Sequence, residues 1–323
     1  MKVAILAAGL GSRFGGIKQL APIGPTGETL LEYNIYNALK AGFDSIVFLI
    51  RKDIEDDFTT HILSRLPGNL PFELAFQDVG MAVPEAFRAD ASVKERSKPW
   101  GTGHALLCAR HLLDKAPFAV MNADDFYGAG GLRATHDFLA ADNRADGKSG
   151  EMARFCLPGY RLGAVVSTKG SVSRAICSTD ASGKLFRIVE HTRVEVMEGK
   201  ILSIKGDGEA EELSPDMSVS MNLWGLTPAV FPSAAAQFAE FLAVQGESNR
   251  ADRAKAEFYL PGIVGTMITA EEAQVWALPV NEAYFGLTNP DDILEARRAI
   301  GERIGRGEYP SPLWSGYKNT GGS

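Results

Sequence analysis

The chain has 323 residues, 45% hydrophobic and 23% charged, the balance of a globular protein rather than a disordered or fibrous one. Basic side chains number 33 and acidic ones 40, a net charge of −7, so no general nucleic-acid-binding surface is expected and any phosphate site must be local. Cys108, Cys156 and Cys177 form no CxxC pair, which points to reduced thiols and a cytoplasmic location. No apolar run reaches the roughly 18 residues needed to span a membrane, and Met1 leads directly into a strand-like segment, so neither a membrane anchor nor a secretory leader is expected.

Lys2–Leu6 is a short apolar run, the length of a buried strand. It opens into Ala7-Ala8-Gly9-Leu10-Gly11-Ser12-Arg13-Phe14-Gly15-Gly16-Ile17-Lys18, with four glycines between positions 9 and 16. Lacking Cβ atoms, such a loop lets backbone amides approach a ligand closely. Arg13 and Lys18 add fixed positive charge, so the turn is suited to a polyphosphate. A Walker loop is excluded because Gln19, not Ser or Thr, follows Lys18. A dinucleotide fingerprint is excluded because Phe14 stands in place of its third glycine. The second strand, Ser45–Ile50, is also followed by Arg51-Lys52 rather than an acid.

Leu6-Ala7-Ala8-Gly9-Leu10-Gly11-Ser12-Arg13, with Lys18 beyond it, resembles the LAAGxGxR signature of the sugar-nucleotide pyrophosphorylase superfamily. The resemblance implies a Rossmann-like, GT-A-like nucleotidyltransferase fold whose loop wraps base and phosphates. Leu6, Ala8, Gly9, Gly11 and Ser12 would then bind the nucleotide, and Arg13 and Lys18 would contact its phosphates. The short Arg-to-Lys spacing and the Lys18-Gln19 pair also resemble the small cytidylyltransferases acting on molybdopterin or methylerythritol phosphate. A non-sugar acceptor therefore stays open.

Glu28–Gly42 reads as a helix with Leu31, Ile35, Ala38 and Leu39 on one face and Gly42 as its stop. Ser45–Ile50 is apolar enough to be central in a parallel sheet, a helix is expected over Ile54–Leu66, and Phe72–Phe76 is a third strand. This alternation predicts a doubly wound α/β sheet with ligand at the carboxyl ends of its strands. Val79–Pro99 reads as a surface insertion. It leads to Trp100-Gly101-Thr102-Gly103-His104, where Gly-Thr-Gly offers amides and a hydroxyl at the start of a helix over His104–Leu113. The resemblance makes Gly101 and Thr102 nucleobase contacts and Gln77 a base-reading side chain. Trp100 suits stacking on the base or plain core packing.

Phe118–Asn122 is another buried strand, followed by Ala123-Asp124-Asp125. Acids at a strand end facing a phosphate loop suit Mg²⁺. The resemblance assigns Asp124 as metal ligand and leaves Asp125 to cap or brace the loop. A helix is expected over 131–145. From Gly163 the chain turns β-rich, with strands at Val165–Ser167, Ser173–Thr179, Lys184–His191, Arg193–Met197 and Val219–Leu226. Helices are expected over Ala229–Gln245 and Ile293–Ile304, with a strand at Gln274–Val280 between them. By resemblance Glu190, His191 and Asn222 bind the sugar phosphate, although His191 stands where the family has Lys. Asn289 is the choice for a second metal ligand, with Thr288 and Asp292 as alternatives. Asn289-Pro290-Asp291-Asp292 is equally a helix-start signal.

The expected molecule is a mostly parallel, doubly wound sheet with a β-rich half. Residues 1–130 would bind nucleotide, 131–304 would bind sugar phosphate within the same domain, and 305–323 would form a C-terminal tail. The resemblance implies Mg²⁺-dependent transfer of NMP from a nucleoside triphosphate to a sugar 1-phosphate, with release of pyrophosphate. Nucleic acid and membrane are not expected partners, and a homo-oligomer is left open. The alternatives are a cytidylyltransferase for a non-sugar phosphate and a nucleotide-binding regulator without turnover.

Overall fold

A computed structural model describes residues 1–9, 21–141, 152–166, 170–206, 208–247, 256–282, 284–287 and 292–317. Lys2–Leu6 (β1), Ser45–Ile50 (β2), Phe72–Phe76 (β3) and Phe118–Asn122 (β4) lie parallel in the order β3-β2-β1-β4. Between β1 and β2 runs Leu30–Ala41 (α1), which begins with a capping box. The Thr29 hydroxyl accepts from the Glu32 amide, and the Glu32 carboxylate accepts from the Thr29 amide at 2.7 Å. It ends at Gly42, whose φ of 111° suits only a residue without a side chain.

Alternate residues of the strands serve opposite faces. Val3, Ile5, Ile46 and Phe48 pack beneath α1 and Glu55–His61 (α2), whereas Ala4, Val47 and Leu49 pack beneath Thr102–Cys108 (α3). The chain thus winds β1 to β3 with helices on one face and returns to β4 with α3 on the other, which keeps both crossovers the same hand. The winding direction reverses between β1 and β4. Such a switch point opens a crevice at the carboxyl ends of the strands.

Past β4 come Asp125–Phe126 (β5) and Gly128–Ala141 (α4). The sheet then continues through Ala153–Arg161 (β6), Val172–Thr179 (β7), Lys184–Met197 (β8), Lys200–Ile204 (β9), Ala210–Leu213 (β10), Ser218–Ser220 (β11) and Trp224–Leu226 (β12). Their order is β10-β9-β8-β7-β11-β6-β12-β4, so a single sheet runs through both expected halves. Val230–Glu247 (α5) and Leu260–Thr269 (α6) join α3 on the second face. Ala273–Pro279 (β13) pairs parallel with β6 and antiparallel with β8, and Phe285–Gly286 (β14) pairs with β5 in a separate ribbon. Asp292–Gly305 (α7) packs with α1 around Ile23, Leu30, Tyr33, Ile300 and Leu313.

Several expected elements differ. Ile54–Leu66 is broken into α2 and flanking 3₁₀ turns, and the helix expected over His104–Leu113 starts at Thr102 and is interrupted at Ala109. Val165 lies in a helical turn rather than a strand, and β6 ahead of it was not expected. Lys184–Met197 is one strand, its ladder with β7 shifting register between His191 and Val194. The segment Val219–Leu226 is instead split, since Asn222 adopts φ 61°, outside any strand conformation. In the segment after α7, Tyr309 and Leu313 are buried, and the Leu313 amide donates to the Glu28 carboxylate at 3.0 Å. No helix among the described residues is long and apolar enough to cross a membrane.

Candidate active site

The parallel strands end level with one another. Their ladder runs one residue further, with Ala7 N donating to Leu49 O, Ala123 N to Leu6 O and Gln77 N to Ile50 O. Leu6 pairs with Asn122, so Ala8-Gly9 and Ala123-Asp124 leave the sheet side by side at the switch point, and Gln77 leaves two strands away. Gly9 is exposed, and a side chain there would meet no heavy atom of the described residues within 4 Å. Gly11, Ser12, Arg13, Lys18 and Asn289 lie outside the described residues.

The two acids at this rim differ in environment. Asp124 is partly exposed, and its carbonyl accepts from the Leu287 amide at 2.9 Å. The Asp125 carboxylate is enclosed. Tyr284 donates to it at 2.5 Å, Asn122 at 2.8 Å and Tyr127 at 3.4 Å. Burial, and then the neighbouring Asp124 charge, push the Asp125 carboxyl up to about 7. Asp125 is therefore a brace, and the backbone of Asp124 beside it is tied to Leu287. The β5–β14 ribbon, with Phe126 stacked on Phe285 at 4.6 Å, brings Leu287 beside Asp124. Glu282 anchors that segment at its other end by accepting from the Gly130 amide at the start of α4.

Asn222 is drawn into the same brace. Its amide donates to Asn122 Oδ1 at 2.7 Å and its carbonyl accepts from Trp224 Nε1 at 3.0 Å. The left-handed turn at Asn222 is what aims the side chain across the sheet at β4. Arg174, on β7, donates to the carbonyls of Val165 and Ser173, and its charge favours the ionised form of Asp125.

A second cluster surrounds the start of α3. Gly101 has φ 97°, and a Cβ there would stand 2.9 Å from the Phe258 carbonyl oxygen. Gly101 therefore faces the chain rather than open space, and a bulkier residue would displace the backbone whatever it did to a ligand. The Thr102 hydroxyl accepts from the Leu260 amide at 3.0 Å, and the Gly103 amide donates to Phe258 O at 2.8 Å. So the hydroxyl and an amide expected to be bare already hold the segment 256–260. Trp100 is fully buried against Phe238 and Phe241, which settles it as a packing residue. Gln77 is 5% exposed and donates to Gly101 O at 2.9 Å.

Glu190 and His191 occupy β8. Glu190 is exposed, accepts from the Ser173 hydroxyl, and lines a groove of about 590 Å³ with Phe186, Ile188, Pro261 and Thr266. His191 Nδ1 lies 2.7 Å from Ser203 Oγ on β9 and pairs across the ladder with Arg174. The groove does not reach Asp124, so the expected sugar-phosphate residues are spread between two places.

Asn122, Tyr284, Arg174 and Glu282 were not singled out in the sequence. An Asn just before an acidic pair was the one available signal; the others are distant in sequence and become neighbours only through the sheet.

Residues 3–73 match the MobA-like NTP transferase domain. The solved UDP-glucose pyrophosphorylase complexed with UDP-glucose superposes with a TM-score of 0.54 at 17% identity, covering 94% of this chain and 98% of that one. The matched residues run from β1 to the start of β3. The nucleotidyltransferase fold is shared also with HddC from Yersinia pseudotuberculosis complexed with GMP-PN, at TM-score 0.53, 14% identity, 93% of this chain and 99% of that one. A UTP–glucose-1-phosphate uridylyltransferase of Bacillus subtilis (strain 168) is 32% identical over 146 residues, 42% of this chain and 49% of that protein. A second from the same strain, YngB, is 30% identical over 132 residues, 38% of this chain and 43% of its own length. The nucleotidyltransferase match thus spans about half the length of these relatives.

Proposed function

We propose that the protein transfers a nucleoside monophosphate from a nucleoside triphosphate to a sugar 1-phosphate and releases pyrophosphate. The observation that carries this reading is the juxtaposition of Ala8-Gly9 after β1 with Ala123-Asp124 after β4, at the switch point of the sheet. The names of the Bacillus subtilis relatives favour UTP and glucose 1-phosphate as the first pair to test. Residues 1–130 would hold the nucleotide and 131–304 the acceptor.

In this reading a phosphate oxygen of the acceptor attacks the α-phosphorus in line. The bond from that phosphorus to the bridging oxygen breaks, and its electron pair leaves with pyrophosphate. A phosphate monoester is largely ionised near neutral pH, its second pKa being about 6, so no general base is required. Arg13 and Lys18 would neutralise the triphosphate, with Leu6, Ala8, Gly9, Gly11 and Ser12 wrapping it and Gln77, Gly101 and Thr102 bordering the base. Asp124 would fit Mg²⁺: it is a partly exposed carboxylate at the carboxyl end of the β4 rim, and Mg²⁺ takes one or two carboxylates plus phosphates and water. Asn289 would be its second ligand, reached by the chain that leaves Leu287 beside Asp124. Bound there, Mg²⁺ would offset charge on the phosphates. Glu190, His191 and Asn222 would serve the acceptor, with Arg174 adding positive charge near them.

Pyrophosphate release from each of the common nucleoside triphosphates, offered with a panel of sugar 1-phosphates, tests the reading. One productive pair should stand out, and Lys18→Ala should lower its turnover about 10²–10³-fold. No release with any pair, or full turnover in a folded Lys18→Ala, would contradict it.

A further inference from the structure

His104 is fully buried in α3 and cannot touch a substrate, yet both its ring nitrogens are engaged. Nε2 lies 2.8 Å from the Met81 carbonyl oxygen. A carbonyl only accepts, so Nε2 carries the hydrogen. Burial pushes the imidazole down to about 4, so the ring is neutral near pH 7 and Nδ1 presents a lone pair. Gln77 Nε2 stands 3.3 Å from Nδ1 and 2.9 Å from the Gly101 carbonyl oxygen. Both neighbours accept, and only the NH₂ end of the Gln77 amide can satisfy them. A flipped amide would set Oε1 against a carbonyl oxygen and an imidazole lone pair together. The ring itself is held by Phe238, 5.2 Å away, and by Cys108, whose thiol burial pushes up to about 12 and so keeps uncharged.

The donors of Gln77 are thus spent, and among the described residues no donor reaches its Oε1. We infer that His104 is a positioning residue that fixes the Gln77 amide with its carbonyl oxygen toward the nucleotide, and so selects a base with a ring N–H on its pairing edge. The inference rests on the reading that Gln77 borders the base. Uracil, thymine and guanine carry such a hydrogen, whereas cytosine and adenine present a lone pair at the same ring position. A pairing-edge lone pair facing Oε1 leaves an acceptor against an acceptor. A site built to bond one hydrogen rejects an analogue lacking it far more strongly than a shape mismatch would. This separates a uridylyl-type enzyme from the cytidylyltransferase that the loop sequence left open.

The isosteric pair UTP and CTP provides the test, by calorimetric binding to the full chain with Mg²⁺ and no acceptor present. Wild-type protein should bind UTP about tenfold or more tightly than CTP. His104→Asn, whose Oδ1 can stand near Nδ1 and accept from Gln77, should keep that ratio within about threefold. His104→Phe keeps a ring but no acceptor, and should bring the ratio toward unity. Equal or tighter CTP binding by wild type would overturn the inference, as would an unchanged ratio in folded His104→Phe. A merely structural His104 would weaken both nucleotides alike. UTP selectivity without pyrophosphate release in the screen above would sink the catalytic reading and leave His104's role standing. Release with CTP in preference to UTP would do the reverse, and binding of neither nucleotide would overturn both.

Discussion

Asp124 and Asp125 are adjacent in sequence, and Asp125 is the one whose carboxylate is held by side chains from three places in the chain. Three donors from Tyr284, Asn122 and Tyr127 spend the oxygens of Asp125 inside the protein. Asp124 keeps part of its surface in solvent at the strand end. The first is a positioning group, the second a metal-ligand candidate. Asp124→Asn retains the shape and removes the charge that would hold Mg²⁺. Turnover should fall about 10²–10³-fold, with a higher Mg²⁺ concentration needed for half-maximal rate and a nearly unchanged melting temperature. Rate against Mg²⁺ concentration measures this, and an unaltered Mg²⁺ profile in the variant would remove Asp124 from the metal site. The sequence made the acidic pair visible. It did not reveal that Asp125 is braced, because one of its donors is Tyr284, 159 positions away.

At the level of elements, Thr102 joins two helices. It is the first residue of α3, and its hydroxyl accepts the first amide of α6, a helix whose own N-cap, Tyr259, supplies no side-chain bond. Thr102→Val keeps the volume and loses the acceptor. It should cost about 1 kcal/mol in chemical denaturation, and Thr102→Ser should recover most of it. A Thr102→Val protein as stable as wild type would show the cap to be idle. Ser45–Ile50 and Phe118–Asn122, apolar through their centres, were legible to the residue, since helices on both faces demand such runs, and Phe72–Phe76 was legible at the sheet edge. The antiparallel half was less legible. Asn222 breaks an apolar run by its backbone angle, not by its chemistry, and Val165 turns helical although β-branched. Likewise the Gly-Thr-Gly signal was read for a ligand, whereas Phe258 and Leu260 take its bonds from 155 residues or more away.

Across the whole molecule, the segment after α7 closes back on α1. Leu313 is fully buried, Trp314 Nε1 donates to Glu32 at 3.2 Å, and the Leu313 amide donates to Glu28. The sequence marked this stretch as a C-terminal tail, and its fit against Tyr33 and Ile23 shows what its first part packs on. Leu313→Ala should cost about 2–5 kcal/mol of stability in denaturant unfolding. Burial would raise the Glu28 carboxyl, but donors from Thr26 and Leu313 outweigh it and hold it below the usual carboxylate range. A depressed carboxyl stabilises above its unfolded value near 4.5, and that contribution is lost as pH falls through the lower folded value. Glu28→Gln should therefore be less stable than wild type at pH 7, by about 1–3 kcal/mol, with the gap closing below pH 4.5. A gap that persists undiminished in acid would show that the Glu28 charge contributes nothing.

The account as a whole claims that the rim between β1 and β4 breaks a triphosphate at its α-phosphorus. Phosphorus NMR of the protein with UTP, glucose 1-phosphate and Mg²⁺ observes that bond directly. The expected spectrum gains pyrophosphate and a nucleoside-diphosphate sugar in equal amounts, with no inorganic phosphate. Release of inorganic phosphate with UDP, or an acceptor signal that never changes while UTP is consumed, would contradict it.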